Sequence, residues 1–206
     1  MQIKVCGLTR KKDVDYCCKL GVNALGFILA ESPRQIKLKR VERLVEGIPP
    51  FISRVAVVVN PSQAEINRII ASAFFDYVQF HGEEEPEVIA KVPTKTIKAI
   101  NIGSDLNQAQ KKINNYQTAD YYLFDTRSGS KKGGTGRTFD WDLLDRLEFK
   151  KQFILAGGLG FDNIESALSK EEMSGVDLNS RVESLPGIKS HDLINKTINK
   201  IRHFFK

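Results

Sequence analysis

Gln2-Ile3-Lys4-Val5-Cys6-Gly7-Leu8-Thr9-Arg10 opens the chain and contains the unit from which the rest is built. Strand side chains alternate with a period of two, so Ile3 and Val5 share one face and Lys4 and Cys6 the other. Gly7 permits a sharp turn, and Thr9 is a suitable N-cap for the helical pattern over 11–20. The turn Gly7-Leu8-Thr9 lacks the GxGxxG expected at this point in an open, doubly wound sheet. Read by itself, Cys6 is a small buried hydrophobe, as most single cysteines are.

Working outward, the same strand-then-helix unit recurs. β-Compatible runs occur at 3–6, 24–29, 54–60, 77–81, 96–100, 121–125, 153–156 and 175–178. Between them lie amphipathic segments at 11–20, 38–46, 62–73, 86–92, 105–115, 140–146 and 162–169, with a last helix at 190–205. Continuous alternation implies a parallel sheet, and eight such units in 206 residues predict a closed (β/α)8 TIM barrel, an α/β fold in one domain spanning 1–206. An open doubly wound sheet is the alternative.

Composition narrows the class. Hydrophobic residues at 41% and charged residues at 27% are ordinary for a globular protein and too apolar for a disordered chain. The opening residues lack the layout of a signal peptide, and no apolar run is long enough to span a bilayer. Three cysteines, two of them adjacent at Cys17-Cys18, argue against a disulfide framework and for a reducing, cytoplasmic setting. No CxxC or His/Cys spacing suggests a metal. The net charge of +6 is spread over Lys37, Lys39, Arg40, Lys131, Lys132 and other positions without interleaved aromatics, so neither a nucleic acid nor a membrane is expected as partner. A solvated charged surface accounts for the charge, and an anionic small molecule is the other reading.

Parity places Gln79 and His81 on one face of the fourth strand, Asp125 at the end of the sixth, and Asp177 and Asn179 at the eighth. In a barrel whose apolar face meets the helices, these residues join Lys4 and Cys6 in pointing toward the mouth. Seven converging polar groups are hard to explain as packing. Ala156-Gly157-Gly158-Leu159-Gly160 and Asp177-Leu178-Asn179-Ser180-Arg181 follow the seventh and eighth strands, where barrels bind phosphate. Ser32-Pro33-Arg34 offers a guanidinium suited to a planar carboxylate, though a surface arginine reads the same way. The glycine- and serine-rich segment 126–139 is long for such a connection and reads as a lid over the mouth.

These residues carry a resemblance. Lys4-Val5-Cys6-Gly7-Leu8-Thr9, Leu25-Gly26-Phe27, Ser32-Pro33-Arg34, Gln79-Phe80-His81-Gly82, Phe124-Asp125-Thr126 with Gly133-Gly134-Thr135-Gly136, Leu155-Ala156-Gly157-Gly158-Leu159 and Gly175-Val176-Asp177 with Ser180 and Val182-Glu183 follow one another as in the phosphoribosylanthranilate isomerase family, which the chain resembles from end to end. The resemblance implies the Amadori rearrangement of N-(5′-phosphoribosyl)anthranilate in tryptophan biosynthesis, without a cofactor, by a monomer or homodimer. It further implies that Asp125 is the general acid opening the ribose ring and that Cys6 is the base acting on the second sugar carbon. Arg34 would hold the anthranilate carboxylate, and Gly158 and Ser180 with their neighbours' amides the phosphate. Asn179-Ser180-Arg181 departs from the family's usual Ser-Ser-Gly.

Such a pairing sets conditions. The acid must be raised from about 3.9 and the thiol lowered from about 8.5, a shift that Lys4 on the same face is expected to supply. Other phosphosugar barrels, with lysine and glutamate or with paired aspartates as their acid/base sets, do not combine a cysteine with an aspartate in this way.

Overall fold

The computed structural model describes residues 1–103, 105–125, 141–170 and 173–206, with the backbone alone at 141–142. β1 (Gln2–Val5), β2 (Ala24–Ile28), β3 (Ser53–Val58), β4 (Tyr77–Phe80), β5 (Lys95–Asn101), β6 (Tyr121–Asp125), β7 (Phe153–Ala156) and β8 (Met173–Leu178) close into a parallel barrel in sequence order. The eight expected strands are these eight, shifted at their ends by up to two residues. The barrel closes where β1 pairs with β8, with Lys4 opposite Asp177 and Val5 opposite Leu178.

Helices α1 (Lys11–Lys19), α2 (Leu38–Val45), α3 (Gln63–Ala71), α4 (Pro86–Ala90), α5 (Leu106–Asn115), α6 (Ile164–Leu168) and α7 (His191–Phe204) pack outside the strands. Their starts follow local chemistry. Ser62 and Glu65 form a reciprocal capping box on α3, Asp105 accepts from the Gln108 amide on α5, and Ser190 accepts from the Leu193 amide on α7. Among the described residues, no helix is long and apolar enough to cross a membrane.

Parity holds inside and out. Cys6, Val55, Val57, Ile97, Ala99, Leu123 and Ala156 form an inner cluster, while Val5, Phe27, Val78, Phe80, Tyr122 and Phe124 belong to the larger core beneath the helices. At the N-terminal rim, the residues just ahead of β2, β4 and β6 brace the preceding strands: Asn23, Asp76 and Asp120 accept from the amides of Ile3, Arg54 and Thr96, each at 2.8 Å.

Three local expectations are corrected and one element is new. Thr9 does not cap α1; its hydroxyl donates to the Gly187 carbonyl at 2.5 Å, and Arg10 occupies the cap position, forking Asp13. The helix expected over 140–146 is described as a 3₁₀ helix, Trp141–Arg146, which brings Leu144 and Leu147, three residues apart, onto the core. The helix expected over 162–169 is only α6, because the Asn163 side chain takes the Gly160 amide at 2.9 Å and gives to the Gly158 carbonyl at 3.1 Å, holding 160–163 as a turn. Finally, β8 is followed by a 3₁₀ turn (Ser180–Val182) and an antiparallel hairpin of β9 (Glu183–Leu185) and β10 (Ile188–Lys189), none of it foreseen. The segment 126–139, read as a lid, lies outside the described residues.

Candidate active site

Two cavities, of about 530 and 330 Å³, open at the N-terminal end of the barrel and are lined by strand starts such as Ser53 and Tyr77. A smaller one of about 200 Å³ lies at the C-terminal end, where barrel enzymes keep their chemistry. Cys6, Arg34, Gln79, His81, Asp125, Gly157, Gly158, Asp177 and Asn179 all line it. The size of a cavity is a poor guide here; the convergent polar groups are in the small one.

Cys6 follows β1 directly, and its amide still donates to the Leu178 carbonyl at 2.9 Å, so the thiol is fixed to the closing edge of the barrel. Gly26 on β2 makes room for it: a Cβ there would stand 2.7 Å from Sγ. Gly7, at φ 72°, turns the chain away, and a Cβ on it would meet both Arg34 Cδ and Asn179 Oδ1 at 2.7 Å. Gly26→Ala is therefore expected to displace the thiol and lower kcat roughly ten- to a hundredfold while circular dichroism stays unchanged. Unchanged kcat would mean that the thiol position is immaterial.

Lys4 does not reach the mouth as expected. It lies one layer below Cys6, lining the lower cavity, with Nζ 2.6 Å from Asp177 Oδ2 and both side chains buried. Its positive charge also acts on the thiol and favours the thiolate. The thiol is nevertheless pushed up, not down. Burial is the largest cause, and Asp177 adds to it, outweighing the lowering by Lys4 and Lys189. The expected net lowering is thus corrected: Lys4 pulls in the right direction and is the strongest charge to do so, but burial outweighs it.

Across the mouth, His81 Nε2 is 3.4 Å from Asp125 Oδ2, at the end of β6. Gln79 Nε2 stands 3.1 Å from His81 Nδ1. An amide N–H in that position makes Nδ1 the acceptor and leaves Nε2 as the donor toward Asp125. The other end of the Gln79 amide, Oε1, and the second oxygen of Asp177, Oδ1, are buried acceptors with no hydrogen-bond partner among the described residues. Two buried, unpaired acceptors on one cavity suit a ligand rich in hydroxyl donors.

Gly157 and Gly158 have φ of 100° and 70°, conformations that L side chains rarely adopt, and the Asn163 side chain anchors the loop from behind. Arg181 covers this loop. Its Nε lies 3.7 Å from where a Cβ on Gly158 would be, its own Cβ leaves no room for one on Gly160, and Nη1 is 3.9 Å from Asp162. Ser180 sits in the 3₁₀ turn beside it and is not part of the cavity wall.

Arg34 faces the cavity already organised. Ser32 Oγ accepts from its amide at 3.0 Å, and Glu183 takes its guanidinium in a fork, at 2.9 and 3.0 Å from Nε and 2.6 Å from Nη2. Glu183 is held below the usual carboxylate range: burial works against this, and hydrogen bonds from Arg34 and Lys189 overcome it. Lys189 escaped the sequence reading, and Glu183 entered it only as part of the family pattern, with no role assigned. The available signal was the Pro186-Gly187 turn with a glutamate before it and a lysine after it. Among the described residues, no three His, Cys, Asp or Glu side chains come together to hold a metal.

Comparison with known proteins bears on this geometry. The sequence model of the family described as N-(5′-phosphoribosyl)anthranilate (PRA) isomerase matches residues 3–200. The N-(5′-phosphoribosyl)anthranilate isomerase of Petrotoga mobilis is 50% identical over 202 residues, covering 98% of this chain and 97% of that one. The crystal structure of phosphoribosyl anthranilate isomerase from Thermotoga maritima superposes with a TM-score of 0.87 at 32% identity, covering 98% of this chain and 99% of that one. A second, with a TM-score of 0.84, 30% identity and the same coverage, is of such an isomerase in complex with reduced 1-(o-carboxyphenylamino)-1-deoxyribulose 5-phosphate.

Proposed function

This chain belongs to the N-(5′-phosphoribosyl)anthranilate isomerase family, and from that premise we propose how its own residues carry out the Amadori rearrangement that it performs in tryptophan biosynthesis. The reaction converts N-(5′-phosphoribosyl)anthranilate to 1-(2-carboxyphenylamino)-1-deoxyribulose 5-phosphate. The observation that carries the assignment is that one carboxyl, Asp125, and one thiol, Cys6, face the same cavity from different strands, between a guanidinium and a glycine loop.

Asp125 gives its proton to the ribose ring oxygen as the bond from that oxygen to the first sugar carbon breaks. The anthranilate nitrogen supplies the electron pair and becomes an iminium. His81, with Nε2 3.4 Å from Asp125 Oδ2, is the group beside the carboxylate left behind and stabilises it as the two close up. Cys6, as thiolate, then removes the proton from the second sugar carbon, and the resulting enolamine ketonises. The free site holds the thiol protonated by burial, and the iminium created in the first step is the cation that favours its ionisation when the base is needed.

Three further contacts position the substrate. The edge of the Arg34 guanidinium that is turned away from Glu183 receives the anthranilate carboxylate. The amides of Gly157 and Gly158 take the phosphate, with the 3₁₀ turn of Ser180 beside them. Gln79 Oε1 and Asp177 Oδ1 accept from sugar hydroxyls. The deciding experiment follows the fluorescence of phosphoribosylanthranilate as it disappears, with parent and Cys6→Ser protein; equal rates would remove Cys6 from the chemistry. Sedimentation velocity distinguishes the monomer and homodimer left open by the sequence.

Arg181 belongs with the phosphate loop. A half-exposed guanidinium over Gly158 adds a charge-assisted contact that solvent weakens. Arg181→Gly is expected to raise KM about three- to tenfold and to leave kcat within about twofold. Steady-state kinetics decide it, and a fall in kcat at constant KM would contradict it.

A further inference from the structure

One buried cation near the site has no part in the steps above. Lys189, on β10, has no exposed side-chain surface. Its ammonium donates to Glu183 Oε1 at 2.8 Å, to Asn179 Oδ1 at 3.0 Å and to the Asn179 carbonyl at 3.1 Å. Its backbone is held as well: the amide donates to Asp13 Oδ2 at 3.3 Å, and the carbonyl accepts from Arg10 Nη2 at 3.2 Å. Asn179 in turn packs against Gly7, the residue after Cys6. The lysine is thus fixed behind the wall that carries the thiol.

We propose that Lys189 is a positioning residue for the isomerisation, holding Asn179 and, through Glu183, Arg34 in place while supplying the net positive charge that favours the Cys6 thiolate. The inference rests on Cys6 being the base. Its physical core is a count of charges. The charged groups acting on the thiol include Lys4, Asp177 and Lys189. Lys4 and Asp177 form a pair of net charge zero. Glu183, by contrast, is shared by Lys189 and Arg34, two cations on one carboxylate, so this cluster keeps a positive excess. Lys4 is the stronger single pull on the thiol but is opposed by its partner Asp177, so the hairpin side adds a second positive contribution that Asp177 does not pair with.

The test titrates Cys6 directly. Ultraviolet thiolate absorbance is followed against pH for the parent, Lys189→Met and Lys189→Arg, each minus its own Cys6→Ser counterpart so that Cys17 and Cys18 cancel. In Lys189→Met the midpoint is expected to move up by about one pH unit, the alkaline rise of kcat/KM to move with it, and KM to increase as Arg34 loosens. Lys189→Arg is expected to restore the midpoint. Glu183→Gln removes a negative charge from the same cluster and is expected to move the midpoint down; it carries the test if Lys189→Met does not fold.

An unmoved midpoint with a raised KM would reduce Lys189 to scaffolding and overturn the electrostatic claim. So would an upward shift that Lys189→Arg fails to reverse. If Cys6→Ser isomerises substrate like the parent, it is the assignment of Cys6 as base that falls, and the absorbance midpoint still reports whether Lys189 acts on the thiol.

Discussion

Asp125→Ala is expected to lower kcat by about 10²- to 10⁴-fold, the usual worth of a positioned general acid. KM is expected to move much less, because the carboxylate and phosphate contacts lie elsewhere on the cavity wall. Asp125 ends β6 at the rim, so its removal opens no hole in the core and the fold should persist. Asp125→Asn keeps the shape and a donor but has no proton of useful acidity, and it should resemble the alanine variant. Cys6→Ala is expected to cost a similar factor, and the double variant little more than either single one, since the two groups serve one reaction and their losses are not additive. Turnover of both single variants at the parent's rate in the fluorescence assay would refute the acid/base assignment.

The second large effect is on stability. Lys98 and Glu84 lie between the barrel and its helices, each 2% exposed, with the ammonium 2.6 Å from Glu84 Oε2 and 2.5 Å from the Gly82 carbonyl, over the Tyr116 ring. Glu84 Oε1 also accepts from the amides of Asn60 and Gly82, and Tyr116 donates to the Glu84 carbonyl. Lys98→Met leaves that carboxylate buried without its counter-charge and is expected to cost about 3–5 kcal/mol, read as a lower urea midpoint at unchanged m. Burial pushes the Glu84 carboxyl up, but the Lys98 hydrogen bond and charge, with the backbone donors, outweigh it and hold the group below its ordinary value. Glu84 therefore contributes stability at neutral pH that is lost as pH falls through this depressed value. Lys98→Met should flatten the acid limb of the parent's stability profile; an equal acid loss in both proteins would place the coupling elsewhere.

What could be read beforehand follows from physical range. The barrel was legible because each strand announces itself locally, by alternation, and Leu123 and Asp125 against Tyr122 and Phe124 is a pattern that needs no partner to be seen. The same period brought Cys6, Gln79, His81 and Asp125 to one mouth. Glu183 and Lys189 were not legible as site residues, since β9 and β10 have three and two residues, too few to show a period, and Glu183 meets Arg34 across 149 positions of chain. The direction of the Cys6 ionisation was missed for another reason: it is a balance between burial and three charges, and sequence reports the charges but not the burial.

The meeting of β1 with β8 has a consequence for how the protein comes to life. Lys4 and Asp177 are 173 positions apart, and Cys6 is anchored through its amide to Leu178. A nascent or truncated chain that has made seven strands still lacks Val176 and Leu178 of the core and the partner that holds the thiol. Catalysis is thereby tied to the final event of assembly. Turnover should lag behind helical signal during refolding and can serve as a stopwatch for ring closure. Two fragments divided between β4 and β5 should be silent apart and active only when they join around that seam.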